Sequence, residues 1–102
     1  MKLYVAGPMT GLPGLNFHAF HATSAHLRAE GHEVVNPAEL NPDPNAEWTV
    51  CMFRDLEELT DCDGIVMLPG WENSHGAQIE WLWSIRTKKQ VFCATKLHEV
   101  PA

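Results

Sequence analysis

The sequence predicts an α/β fold of four parallel strands layered between helices. Three observations predict it. Short apolar, β-prone runs alternate with segments of helical periodicity, in the order β-α-β-α-β-α-β. One run, Ile65-Val66-Met67-Leu68, is apolar without interruption, as strands buried on both faces of a parallel sheet are. Gly and Pro breaks (Gly7-Pro8, Asn36-Pro37, Pro69-Gly70) follow the first three runs. Strands alternating with helices imply right-handed crossovers and helices on both faces of the sheet.

Each element has its own justification. Leu3-Tyr4-Val5-Ala6 forms the first strand, and the loop after it continues to Gly14. Asn16 is the expected N-cap of a first helix over residues 17 to 30. There Phe17, Phe20, Ser24 and Leu27 recur at helical spacing, and Gly31 sits where a C-cap glycine belongs. Val34-Val35 is a second strand. Residues 37 to 46, with three prolines and two asparagines, read as a loop. A second helix follows, with Trp48, Met52, Leu56 and Leu59 on its apolar face and Glu57 and Glu58 off it. Asp61 to Gly64 is a turn into the third strand, and Trp71 to His75 is a loop. Ser74 is suited to cap a third helix reaching about Arg86, with Ile79, Leu82 and Trp83 as its buried stripe. Val91-Phe92-Cys93 is the fourth strand. With no internal repeat, residues 1–102 are expected to form one small domain.

Composition removes several classes of function. Thirteen acidic residues against seven basic ones give a formal net charge of −6. That argues against tracking a nucleic-acid backbone or an anionic membrane surface. A hydrophobic fraction of 45% with 20% charged residues is ordinary for a globular chain, not a disordered one. No apolar run approaches the roughly 18 residues of a membrane span, and the N-terminus lacks the apolar block of a signal peptide. Cys51, Cys62 and Cys93 are odd in number and form no CxxC pair. This excludes a disulfide framework or a zinc knuckle and points to reduced thiols in the cytoplasm. Four Trp in so short a chain suggest apolar surface covered by a second subunit, hence a homo-oligomer, with a dimer expected.

In such sheets a small ligand binds beyond the carboxyl ends of the strands, where the strand order reverses. With the first strand central, the loops there run from Gly7 to Gly14 and from Pro69 to His75. The first, GPMTGLPG, spells neither GxGxxG nor GxxxxGK[ST], so it supports no dinucleotide fingerprint and no P-loop. Its glycines serve either a close ligand or the loop's own turns. The second leads through NSHGAQIEW into the third helix, whose N-terminus favours an anion. Glu80 lies one turn after Gly76 and borders the apolar stripe. Such a carboxylate acts as nucleophile or general base, or simply reaches to water. His75 either contacts a ligand or caps the helix. Trp71 either stacks on a flat ring or anchors its loop. Trp48, Trp81 and Trp83 read as core or subunit-interface residues. His18 and His21 are spaced as a helix metal pair, but no third ligand accompanies them, so no metal site is assigned.

LYVAGP at the start, DCDGIVMLPG in the middle and S-x-G-x-x-x-E opening a helix resemble the nucleoside 2-deoxyribosyltransferase superfamily, which also contains 2'-deoxynucleoside 5'-monophosphate N-glycosidases. YVAGPMTGLPGLNFHAF, W-x-x-CMFRDLEEL-x-DCD and LPGWENSHGAQIE resemble an uncharacterised branch of small proteins met in phages and prophages. The likeness spans about residues 3 to 85. The resemblance implies that Glu80 is the nucleophile that attacks the anomeric carbon, and that Tyr4 orients it. It places Ser74 at the 5'-phosphate and Gly7 at the phosphate or sugar side. Asp63 matches an aspartate before the third strand. It also implies a residue supplied by a neighbouring subunit, for which Thr95 is the candidate. The characterised transferases are longer, and they carry an aspartate in the loop before the glutamate where this chain has Trp71-Glu72-Asn73-Ser74-His75.

The expectation is therefore a flavodoxin-like or Rossmann-like three-layer domain with a four-stranded parallel sheet. Its expected activity is cleavage or transfer at the N-glycosidic bond of a nucleoside, deoxynucleoside or 5'-monophosphate. Glu80 is the nucleophile, and Glu72 is the expected second acid that protonates the leaving base, because its loop faces the same crevice. Pro8, Met9, Gly70, Trp71, His75 and Gly76 join Gly7, Asp63 and Ser74 as ligand-binding candidates. No metal or organic cofactor is required. The alternative is a non-catalytic module of phage origin that binds and sequesters a nucleotide, which would tolerate Glu80→Gln with little loss of affinity.

Overall fold

A computed structural model describes residues 1–94; Thr95 lies outside the described residues. The elements in chain order are β1 (Lys2–Ala6), α1 (Phe17–Ala29), β2 (Glu33–Val35), α2 (Pro37–Leu40), α3 (Trp48–Thr60), β3 (Gly64–Met67), α4 (His75–Arg86) and β4 (Gln90–Cys93). Short 3-10 turns cover Pro13–Asn16 and Trp71–Asn73. All four strands are parallel, in the order β2-β1-β3-β4. The expected α/β class and four-stranded parallel sheet are both present.

The alternation of side chains along β1 builds two cores. Leu3 and Val5 face α1 and pack with Phe20, Leu27 and Val66. Tyr4 and Ala6 face the other way and pack with Leu59, Ile65 and Ala77, beneath α3 and α4. The layers follow from handedness. The crossover from β1 to β2 runs one way across the sheet, and those into β3 and β4 run the other, so right-handed connections put α1 on one face and α3 with α4 on the opposite face. The reversal falls between β1 and β3, and the loops after these two strands diverge there.

Four local expectations need correction. Residues 37 to 46 are not all loop: Pro37–Leu40 is a helical turn. Asn36 Oδ1 caps it by accepting from the Ala38 N–H at 3.0 Å, and Pro37 occupies the first turn, where its missing N–H costs nothing. Asn16 does not cap α1 with its side chain. It adopts a left-handed conformation (φ 59°) and donates from Nδ2 to the Pro8 carbonyl at 3.0 Å, tying down the loop after β1. The buried stripe of α4 is Ala77, Glu80 and Ser84, whereas Leu82, Trp83 and Ile85 are exposed. Small side chains line the face that lies close on the sheet. In α3 the buried stripe is Met52, Asp55 and Leu59, so a carboxylate occupies a core position, and Trp48 is half exposed at the helix start.

Candidate functional site

An open cavity of about 830 Å³ lies beyond the carboxyl ends of β1 and β3. Gly7, Pro8 and Met9 of the loop after β1 form one wall, and Ser74, His75 and Gly76 at the start of α4 form another. Trp48, Met52 and Asp55 of α3 close a third side, and Glu80 is at the base. Gly7 is required here by contact: a Cβ on it would stand 2.7 Å from Cβ of Leu68, the residue after β3. No side chain fits that approach, so the first residue of the loop stays against the sheet edge.

Ser74 caps α4 as its sequence position suggests, its Oγ accepting from the Ala77 N–H at 3.3 Å. The His75 and Gly76 N–H groups precede the first intrahelical donor, and both residues line the cavity near the positive end of the helix dipole. The rings of His75 and Trp48 meet edge to face, with centroids 6.2 Å apart. Gly76 lets α3 and α4 approach, since a Cβ there would be 3.3 Å from Met52 Sδ.

At the cavity base, the Tyr4 hydroxyl donates to Glu80 Oε2. Tyr4 is fully buried and Glu80 is 5% exposed. Asp55, which is 7% exposed, is near enough for its charge to act on the same phenol. Asp55 also accepts from Asn41 Nδ2 at 2.8 Å. Two carboxyls from different helices thus meet one phenol. Burial pushes Glu80 up to about 8, helped by the charge of Asp55 and opposed by the Tyr4 hydrogen bond. Burial raises Asp55 to about 6, opposed by the hydrogen bond from Asn41, the neighbouring Tyr4 hydroxyl and the nearby Arg54 charge. The Tyr4 phenol is held well above its ordinary value by burial and by both carboxylates, so it stays protonated and serves as a donor.

The sequence-selected residues divide. Glu80, Tyr4, Gly7, Pro8, Met9, Ser74, His75 and Gly76 come together around the cavity. Glu72, Gly70 and Trp71 border a second, smaller depression instead. The left-handed Gly70 (φ 86°) and the turn after it swing Trp71 onto Trp81, where the rings stack at 5.6 Å, and leave Glu72 exposed. Asp63 is at the opposite end of the sheet, where its Oδ2 accepts from the Lys2 N–H at 2.8 Å. It pins β1 to β3 far from the cavity. Asp55 is not among the residues selected from the sequence, which places Trp48 in a core or interface. The signal for Asp55 was present in the spacing Met52–Asp55–Leu59, which puts it on the buried face of α3. His21 Nδ1 contacts Asn36 Nδ2 at 3.1 Å, and among the described residues no three His, Cys, Asp or Glu side chains gather as metal ligands.

The family described as "Domain of unknown function (DUF4406)" matches residues 1–93. No curated relative matches the chain in sequence. Among solved structures, the chain is similar to a 2-deoxyribosyltransferase from the psychrotolerant bacterium Bacillus psychrosaccharolyticus, with 26% identity and a TM-score of 0.69, over 91% of this chain and 71% of that one. It is similar in fold to the CMP N-glycosidase of Clostridium botulinum, with 18% identity and a TM-score of 0.64, over 91% of this chain and 70% of that one. The likeness to the deoxyribosyltransferase superfamily read from the sequence motifs holds at the level of the fold. No helix among the described residues is long and apolar enough to cross a membrane.

Proposed function

The chain belongs to the family of domains of unknown function DUF4406, and we propose that it breaks the N-glycosidic bond of a nucleoside or its 5'-monophosphate, delivering the sugar to water or to a second base. The observation that supports this best is the meeting of Glu80 and Asp55 at the Tyr4 hydroxyl on the cavity base. Retaining glycosidases use a neighbouring pair of carboxyls, one as nucleophile and one as acid. Likeness to a 2-deoxyribosyltransferase supports the same class of chemistry.

The proposed steps balance. A Glu80 carboxylate oxygen bonds to the anomeric carbon as the carbon–nitrogen bond breaks, and the bonding electrons leave with the base. Asp55 gives its proton to the base nitrogen. In the second step a water, or a nitrogen of another base, bonds to the anomeric carbon and returns a proton to Asp55, and Glu80 departs as carboxylate. Between about pH 6 and 8 the two carboxyls together hold one proton and one negative charge. The positive charge developing on the sugar beside Glu80 favours the arrangement with charge on Glu80 and the proton on Asp55. That arrangement pairs the stronger acid with the more basic carboxylate. Asp55 thus takes the role that the sequence alone suggested for Glu72.

The test is chromatographic detection of free base from deoxy- and ribonucleosides and their 5'-monophosphates, with Glu80→Gln in parallel. Release by the wild type and not by the variant is the expected result. No release from any of these, with one nucleotide still raising the melting temperature, overturns the reading in favour of a binding module.

A further inference from the structure

We propose that Arg54 and Asn41 are positioning residues that decide which oxygen of Asp55 holds its proton, turning that proton away from Asn41 and onto the other oxygen, Oδ2. The inference rests on the reading of Asp55 as proton donor.

The Asn41 side chain makes three directional hydrogen bonds. Its Oδ1 accepts from Arg54 Nη1 at 2.9 Å. Its Nδ2 donates to Asp55 Oδ1 at 2.8 Å and to the Pro37 carbonyl at 3.3 Å. Exchanging the amide oxygen and nitrogen would set a carbonyl against two acceptors and an NH2 against a guanidinium. The orientation is therefore fixed by its partners. A guanidinium has no acceptor and does not deprotonate, so the chain Arg54–Asn41–Asp55 is polarised one way at every working pH. Asp55 Oδ1 thus always faces a donor, which favours the unprotonated, carbonyl-like oxygen at that position. When Asp55 is protonated, the proton is on Oδ2.

Arg54 is exposed and does not line the cavity, so it acts through Asn41 and not on a ligand. The groups that face Asp55 are Tyr4 from β1, Glu80 from α4, Asn41 just after α2, and Arg54 and Cys51 on α3 itself. Of these, only Asn41 and Arg54 act on Asp55 and not on Glu80. Both lower Asp55, which stands near 6; Glu80, more deeply buried and raised further by the Asp55 charge, stands near 8. The couple thus adds to the acidity of Asp55 without acting on Glu80.

The experiment is a carboxyl 13C NMR titration of the whole protein, with the pH profile of base release, for Asn41→Leu, Arg54→Met and Arg54→Gln. A hydrogen bond to a charged group is worth about one to two pH units of carboxyl midpoint. Asn41→Leu is expected to raise the Asp55 midpoint by that amount and to carry the acid limb of the activity profile upward with it. Arg54→Met, at an exposed position that tolerates change, is expected to shift the midpoint the same way by less. Arg54→Gln, which can still donate to Asn41 Oδ1, is expected to recover part of the shift. Unchanged Asp55 midpoints in both Asn41→Leu and Arg54→Met overturn the inference. If the wild type releases no base, the functional reading falls, and the titration alone still decides whether Asn41 and Arg54 set the Asp55 proton.

Discussion

Tyr4 and Glu80 stand 76 positions apart in the chain and share a buried hydrogen bond. Their partnership follows from the sheet. Tyr4 pairs with Val35 on one side and Ile65 on the other, so its ring is held in the middle of the molecule and its hydroxyl has little freedom. Glu80 comes to it on α4, whose buried side chains are small enough to bring the helix down on β1. A carboxylate on a helix has many rotamers; this one has a fixed donor and faces a cavity.

Burial of these carboxyls makes stability fall as pH rises. Glu80 moves from 4.5 to about 8 and Asp55 from 3.8 to about 6 on folding. The folded protein therefore binds more protons than the unfolded chain, and their stabilising contribution is complete below the unfolded values. It is lost between about pH 4 and 6 for Asp55 and between about 4.5 and 8 for Glu80. The loss at Glu80 is on the order of a few kcal/mol. Calorimetry is expected to give a melting temperature that drops from pH 5 to pH 8. In Glu80→Gln the part of that slope above pH 6 should disappear. A wild-type curve flat across this range would contradict the burial argument.

Activity should follow a bell. Base release needs the two carboxyls with one proton between them, which holds between about pH 6 and 8. Below this window Glu80 and Asp55 are both protonated and no nucleophile remains; above it no acid remains for the leaving base. Measurement of kcat/KM against pH is expected to peak near neutrality. In Asp55→Asn the peak should fall by a factor of about 100 or more, since a positioned general acid typically contributes about 10²–10⁴. A base that leaves easily without protonation should lose less in the same variant.

The sequence makes the frame legible because strands and breaks are local signals. Val5, Ile65 and Val66 are β-prone and bounded by Gly and Pro, and Ser74 caps α4 where expected. What escaped depends on which way a helix turns. Leu82, Trp83 and Ile85 outweigh Ala77 and Ser84 in hydrophobicity, yet the closely packed sheet selects the small side chains and leaves the large ones outside. Asp55 escaped because a charged residue is ordinarily assigned to water, although its spacing from Met52 and Leu59 marks the buried face. Glu72 and Trp71 stand close in sequence to the cavity wall at Ser74, but a single left-handed glycine, Gly70, turns them to another depression.

Gly7→Ala should harm the protein more than Gly76→Ala. A methyl at Gly7 would meet Leu68 Cβ at 2.7 Å and its Cδ1 at 2.9 Å, close to the backbone of the strand end, where little can yield. A methyl at Gly76 would meet mainly Met52 Sδ at 3.3 Å, the far part of a flexible side chain. Overpacking of the first kind costs about 1–3 kcal/mol, and the second should cost well under that. Chemical denaturation of both variants is the measurement. Equal losses would mean that the loop after β1 moves freely from the sheet edge.

Trp48 and Trp71 should separate ligand binding from stability. Trp48 is 48% exposed and forms part of the cavity wall, beside His75, so its ring has a free face for a ligand. Trp71 is stacked on Trp81 and packs against the core beneath α4. An aromatic ring that stacks on a nucleobase contributes about 1–3 kcal/mol, a tenfold change in affinity or more. Trp48→Ala is therefore expected to raise KM, or weaken nucleotide-induced thermal stabilisation, by about tenfold with the unliganded melting temperature nearly unchanged. Trp71→Ala is expected to lower the unliganded melting temperature and leave the ligand response in place. The reverse outcome would return the base to the Trp71 depression and would require Glu80 and Asp55 to act on a bond they cannot reach from there.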